Sequence, residues 1–216
     1  MNNDWQTPEH ALAYLRRADS IPHRTAGEET LLSELPATCT RVLDLGSGDG
    51  RLLALCLLAR PGAAGVALDF SPPMLEKLRD RFGGDRRVEV IAHDISDPLP
   101  PTLGRFDAVV SSFAIHHVGH ARKRALYEEI LPLLTPNGVF ANLEHVSSPT
   151  DALHARFYKA INVPLAQEDA SNQLLDVETQ LGWLREIGFN DVDCYWKWRE
   201  LALLIGHRPA VAQAGP

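Results

Sequence analysis

Short apolar runs alternate along most of this chain with longer stretches whose apolar residues recur every three or four positions. Runs of the first kind read as buried strands, and the second kind as helices that cover them. Arg41–Leu45, Gly65–Asp69, Arg87–Ala92, Phe106–Ser112 and Val139–Val146 are predicted strands. Arg51–Arg60 is apolar nearly all round, which predicts a helix buried against a sheet and ended by Pro61-Gly62. Ser71 is placed to N-cap a helix with Pro72 at its first position, and Leu75, Leu78 and Phe82 follow at helical spacing. A helix over Ala121–Leu134 is predicted to stop at the turn Thr135-Pro136-Asn137-Gly138. Strands alternating with helices imply an α/β fold, a mostly parallel sheet with helices on both faces.

The pattern changes towards the end of the chain. Val192, Cys194, Trp196 and Trp198 alternate with polar or amphipathic residues, and Leu201–Gly206 follows after a short link. Such a link permits a hairpin but no parallel crossover, so these two strands are predicted to be antiparallel. Between the fifth strand and the hairpin lie a helical pattern with Leu153, Phe157 and Ile161, a polar stretch Gln167–Gln173, and a second helix with Val177, Leu181, Leu184 and Ile187, stopped by Gly188. Residues 147–175 exceed what a crossover needs and read either as a surface insertion or as a helical lid. The expected organisation is one domain over 1–208, with an N-terminal helical cap over 1–35 and a frayed tail over 209–216.

The net charge of −7, from 21 basic and 28 acidic residues, disfavours a nucleic-acid partner. The basic cluster Arg122-Lys123-Arg124 reads as a solvated helix face. Cys39, Cys56 and Cys194 fit neither a disulfide framework nor a zinc motif. The first residues, Met1-Asn2-Asn3-Asp4-Trp5, lack the layout of a signal peptide, and the longest apolar stretch, Leu52–Ala59, is too short to span a bilayer. A cytoplasmic protein that engages no membrane is the expectation. Oligomeric state is not legible.

The first strand runs through Asp44-Leu45 into Gly46-Ser47-Gly48-Asp49-Gly50 and then directly into a helix. Glycines there let the backbone turn sharply and approach a ligand, at the strand ends where open α/β sheets bind ligands. The third glycine falls one residue early for a dinucleotide fingerprint, which argues against a nicotinamide enzyme. Asp69 ends the second strand, where a carboxylate can accept from both ribose hydroxyls of a nucleoside, and Phe70 can pack on its base. Asp94, after the third strand, can accept from the exocyclic amine of adenine, with a neighbouring backbone N–H, such as that of Ile95, for a ring nitrogen.

Val42–Gly50, Val66–Leu75, His93-Asp94, Phe106–Val110, Leu134–Gly138 and Leu184–Phe189 together resemble the successive motifs of class I S-adenosylmethionine-dependent methyltransferases. The resemblance implies a Rossmann-like, seven-stranded sheet whose last strand is inserted antiparallel, and S-adenosylmethionine as cofactor. By it, Asp44 and Gly46, Ser47, Gly48 and Gly50 face the methionine end, Asp69 the ribose and Asp94 the adenine. Arg24 is a candidate partner for the cofactor carboxylate. The segment from Ser111 to Val118 lines the donor methyl and the acceptor.

Methyl transfer from a sulfonium needs alignment above all, and a base only where the nucleophile carries a proton. His117 is the first candidate for that base and His116 the second. Each is equally readable as a packing residue. Ser111-Ser112-Phe113-Ala114 stands where enzymes acting on exocyclic base nitrogens carry Asn/Asp-Pro-Pro-aromatic. A small-molecule acceptor with an O or N nucleophile is therefore expected, and no metal. Trp5, Tyr14, His23, Phe157 and Tyr158 are candidates to close its pocket. The alternatives are a carboxy-S-adenosylmethionine synthase-like enzyme and a non-catalytic binder of the same cofactor.

Overall fold

A computed structural model describes residues 21–210 of the chain. Most of the expected cap (1–20, with Trp5 and Tyr14) and all but the first residues of the expected tail lie outside the described residues. Seven strands, β1 (Arg41–Leu45), β2 (Ala64–Asp69), β3 (Val88–Ala92), β4 (Phe106–Ser112), β5 (Leu134–His145), β6 (Asn190–Trp198) and β7 (Leu201–His207), form one sheet in the order β3-β2-β1-β4-β5-β7-β6. The first five are parallel. β7 lies antiparallel between β5 and β6, joined to β6 by the two-residue link Arg199-Glu200. Both expectations for the chain end, hairpin and inserted antiparallel strand, hold.

Side chains alternate across the sheet, so each strand feeds two cores. On one face Val42, Ala67, Val110, Leu143 and Leu203 pack under α1 (Arg24–Glu34), α2 (Arg51–Ala59), α3 (Pro72–Phe82) and α5 (Asp151–Ala160). On the other, Leu43, Leu68, Val109 and Phe140 pack under α4 (His120–Leu133) and α6 (Val177–Ile187). Leu53 and Leu126 are fully buried, and each such side chain contributes roughly 1.5–3 kcal/mol. Strand order reverses between β1 and β4, which opens a crevice beyond their carboxyl ends.

Four local expectations need correction. Thr135–Gly138 does not separate α4 from β5; it is drawn into the strand as a bulge. Asn137 has φ 62°, as a turn residue would, but its N–H donates to Arg208 O at 3.0 Å and Arg208 N–H donates back to Gly138 O at 2.8 Å. Ser71 occupies the cap position with Pro72 behind it, but its side chain does not cap the helix. Leu153 points outwards, 40% exposed, while Phe157 alone of that trio is fully in the core. Lys123 is not on a solvated face: it is fully buried, because its ammonium reaches Gln173 O at 3.2 Å across the sheet end.

Candidate functional site

The glycine loop after β1 is built around positive φ angles, 65° at Gly46, 56° at Gly48 and 81° at Gly50. A Cβ on Gly46 would lie 2.3 Å from that of Ala114, and one on Gly50 would lie 2.5 Å from the Phe82 ring. The loop thus passes between the β4 exit and α3 with no room for a side chain at Gly46 or Gly50, whereas Gly48 has open space beside it. Ser47 N–H donates to Leu68 O and the Ser47 hydroxyl to Asp44 O, both at 2.8 Å. Asp69 receives the Gly48 N–H on Oδ2 and the Ser71 N–H on Oδ1, each at 2.8 Å, so it ties the loop to the tip of β2. At the β4 tip the Ser111 hydroxyl donates to Leu45 O at 2.8 Å.

Three acids flank the crevice in different states. Asp44 is buried and neither carboxylate oxygen has a hydrogen-bond partner. Burial, together with the nearby charge of Asp69, pushes its pKa up to about 7. Burial also raises Asp69, to about 6, against the N–H groups of Ser71 and Gly48. Asp94, partly buried, accepts the Ser96 N–H at 2.8 Å. Phe70 is partly buried beside Asp69, and Ile95 is buried towards Gly46, its carbonyl accepting from Arg122 at 3.1 Å. Arg24 is buried as well, with Nε 2.8 Å from Glu28 Oε1, and its guanidinium stands 5.4 Å from the centre of the Phe113 ring. Arg51 reaches the same Glu28 at 2.9 Å. Burial alone would raise the Glu28 carboxyl; the two guanidinium groups outweigh it and lower it.

Beyond β4 and β5 the site is a polar network. His116 Nδ1 lies 2.8 Å from Glu144 Oε1, both side chains buried. Asn142 Nδ2 donates to Glu144 Oε2 at 3.2 Å and to the Tyr127 hydroxyl at 3.3 Å, which donates to Gln180 Oε1 at 2.7 Å. Burial alone would raise the Glu144 carboxyl, but the hydrogen bond from His116 and the nearby charge of Lys123 outweigh it and hold it below the ordinary carboxylate range. The carboxylate is therefore ionised, can only accept, and fixes the proton of His116 on Nδ1. Nε2 is left as the lone-pair nitrogen. Burial lowers the His116 pKa more strongly than Glu144 raises it. The His117 ring stacks 4.0 Å from that of His116, and its Nδ1 meets the Ser171 hydroxyl at 2.9 Å. Burial and the neighbouring His116 lower the His117 pKa well below the ordinary value. The His145 ring stands edge-on 5.6 Å from His116 and pairs with Glu200 at 3.0 Å.

The fold brings Asp44, Gly46, Ser47, Gly48, Gly50, Asp69, Phe70, Asp94, Ile95 and Ser111 to the strand ends around the crevice, with Arg24 at the start of α1 beside Phe113 and His116 and His117 on the 3₁₀ turn beyond β4. Sequence reasoning missed Glu28, Lys123, Ser171 and Glu200. Each has a partner far along the chain: Arg51 for Glu28, Gln173 for Lys123, His117 for Ser171 and His145 for Glu200. The available signals were the i,i+4 spacing of Arg24 and Glu28 and the apolar neighbours Leu126, Tyr127 and Ile130 that follow Lys123 at helical spacing. Among the described residues no group of three or more His, Cys, Asp or Glu is arranged to hold a metal ion.

Residues 42–138 match the family model of a methyltransferase domain. The chain is 35% identical over 201 residues to a demethylmenaquinone methyltransferase of Clavibacter sepedonicus, covering 84% of this chain and 78% of that one. Among solved structures, an O-methyltransferase family protein from Burkholderia thailandensis superposes with a TM-score of 0.71 at 22% identity, covering 96% of this chain and 64% of that one. Human N-acetylserotonin methyltransferase in complex with S-adenosylmethionine superposes with a TM-score of 0.62 at 18% identity, over 91% of this chain and 58% of the human one. The chain is thus shorter than these two structural relatives, spanning about three fifths of their lengths. With the motifs, the sheet order and the crevice agreeing, the chain belongs to the class I S-adenosylmethionine-dependent methyltransferases, enzymes that take their methyl group from S-adenosylmethionine.

Proposed function

We propose that this enzyme methylates a small-molecule acceptor at an oxygen or nitrogen nucleophile, with His116, held by Glu144, as the group that receives the nucleophile's proton. The observation that carries the reading is the 2.8 Å contact from His116 Nδ1 to a buried, ionised Glu144. A carboxylate that fixes the imidazole tautomer leaves a basic Nε2 and steadies the imidazolium that forms. His117 is the weaker choice: its Nδ1 meets the Ser171 hydroxyl, where that of His116 meets a carboxylate able to steady an imidazolium. We assign His117 to shaping the acceptor side.

The cofactor supplies an activated methyl on a sulfonium, open to in-line displacement. The residues present fit it. The orphaned buried carboxylate of Asp44 costs folding free energy until a donor reaches it, and a cationic donor such as an amino-acid ammonium matches its charge. Asp69 retains lone pairs for ribose hydroxyls beyond the two N–H bonds it accepts. Asp94 and the Ile95 N–H serve adenine, Phe70 lies against it, and Arg24 serves the carboxylate. Gly46, Ser47, Gly48 and Gly50 let the backbone approach, with Ser111 fixing the β4 tip beside them.

The acidic net charge disfavours a nucleic-acid acceptor. Incubating the enzyme with a metabolite extract and isotopically methyl-labelled S-adenosylmethionine tests the reading. Label is expected in one small compound at an O or N atom. Label in nucleic acid or protein, or at carbon, would overturn it.

A further inference from the structure

Glu200 sits in the two-residue link between β6 and β7, yet its side chain is fully buried. A charged turn residue ordinarily keeps its head in water. Here the carboxylate is enclosed by two histidines from distant segments. Oε2 lies 3.0 Å from His145 Nε2 at the end of β5, and Oε1 lies 3.0 Å from His154 Nδ1 on α5. The other nitrogen of His154 reaches Glu168 Oε2 at 3.2 Å. From Glu168 the chain runs directly over the double histidine. Ser171 meets His117 Nδ1, and the Gln173 N–H donates to His116 O at 2.7 Å. One carboxylate therefore connects β5, α5 and the stretch between α5 and α6.

We propose that Glu200 and His154 are positioning residues: Glu200 anchors His145 directly and, through His154, holds residues 161–176 as a cap over His116 and His117. This rests on the reading of that side as the acceptor side. The alternative, that 147–175 is a surface insertion without a role, leaves unexplained why its ties run to the two histidines and to a buried charge. His154 has a carboxylate at each ring nitrogen, Glu200 at Nδ1 and Glu168 at Nε2, and only the imidazolium donates from both. The groups that face His154 are Glu200 from the β6–β7 link, Glu168 from the cap and the Tyr158 ring, 4.9 Å away on α5. Those that face Glu200 are His145, His154 and Ser148. Burial alone would lower the His154 pKa, but Glu200 and Glu168 outweigh it and raise it above the ordinary 6.5. A raised histidine stabilises fully below its unfolded value and stops doing so as pH rises through its folded value. The cap is thus held below the folded His154 pKa, which lies above 6.5, and loosens as pH rises through it.

Hydrogen exchange and NMR titration of the imidazole nuclei test this on the full chain with S-adenosylhomocysteine bound, without any acceptor. The variants are Glu200→Gln and His154→Gln. The His154 pKa should lie above 6.5 in the parent and fall in Glu200→Gln. In both variants the amides of Gln173 and Ser147, which bond to His116 O and Leu175 O, should exchange at least about tenfold faster. The parent should show the same loss above its His154 pKa. The amides of Ser47 and Gly48 should keep their protection. Unchanged cap exchange in His154→Gln, or equal loss of protection in the glycine loop, would overturn the proposal. His154 is only partly buried, so that variant decides should Glu200→Gln fail to fold. Because this test reads no turnover, its outcome is separable from the base assignment: a His116→Ala variant found fully active in a separate assay would sink that assignment and leave the proposal for Glu200 and His154 standing.

Discussion

The two sides of the crevice satisfy their polar groups in opposite ways. On the β1–β3 side the acids stand ready for something outside the chain: Asp44 has no partner on either oxygen, and burial holds Asp44 and Asp69 well above the ordinary carboxylate range. On the β4–β5–β7 side the charged groups answer one another: His116 to Glu144, and His145 and His154 to Glu200, with Tyr127 bonded to Gln180; among the described residues, Ser112 Oγ and Asn142 Oδ1 are the buried side-chain polar atoms there without a partner. The first arrangement suits a ligand that arrives with charge and donors of its own. The second suits chemistry, since fixed tautomers and internal hydrogen bonds hold a proton acceptor in one orientation.

The largest effect that separates the sides concerns turnover. His116→Ala should lower kcat by ~10²–10⁴-fold. Both histidines have lowered pKa values, so the acid limb of the parent pH–rate profile should lie below 6.5, and His116→Ala should lose it. Glu144→Gln should reproduce much of that loss, because an amide can donate to Nδ1 and shift the proton to Nε2. His117→Ala should raise KM for the acceptor more than it lowers kcat. If His117→Ala instead abolishes the limb and His116→Ala retains it, the two roles are exchanged.

The next effect concerns stability of the ligand-free enzyme. A carboxyl whose folded pKa is raised binds a proton more readily when folded, so folding weakens as pH rises between the unfolded and folded values. For Asp44 that window runs from 3.8 to about 7, and its cost is on the order of a few kcal/mol. Thermal unfolding of the parent should show that decline and Asp44→Asn should show less of it. A parent Tm that is flat across the window, or a variant with the same slope, would remove Asp44 as the unsatisfied charge.

The cofactor side was largely legible in the sequence because its signal is local. The glycines at 46, 48 and 50 need positive φ within one short loop, and Asp69 and Asp94 follow strands that periodicity alone delimits. The acceptor side was not, because its pairs span 28 residues between His116 and Glu144 and 55 between His145 and Glu200. Nothing in the order of residues says which imidazole meets which carboxylate. Lys123 was misread for the same reason: its place in a basic triplet suggests solvent, while its partner Gln173 lies on the far side of a crossover. The strand bulge at Asn137 depends on Arg208, equally out of local reach.

The smallest expected effect lies at the adenine end. Asp94 is only partly buried and already accepts from Ser96. Asp94→Ala should cost S-adenosylhomocysteine affinity a few-fold, about 1 kcal/mol, and should narrow the preference over the hypoxanthine analogue. Competition binding with the two ligands measures it, and an unchanged preference would place adenine recognition elsewhere.

The division between a side that waits for its ligand and a side whose charged groups pair internally is tested most directly by calorimetric titration of S-adenosylhomocysteine into the parent, Asp69→Ala and His116→Ala enzymes in one buffer. The account predicts an affinity at least about tenfold weaker for Asp69→Ala, the loss of hydrogen bonds to a charged group, and an affinity for His116→Ala equal to the parent's. Parent-like binding by Asp69→Ala, or a comparable loss in His116→Ala, would contradict it.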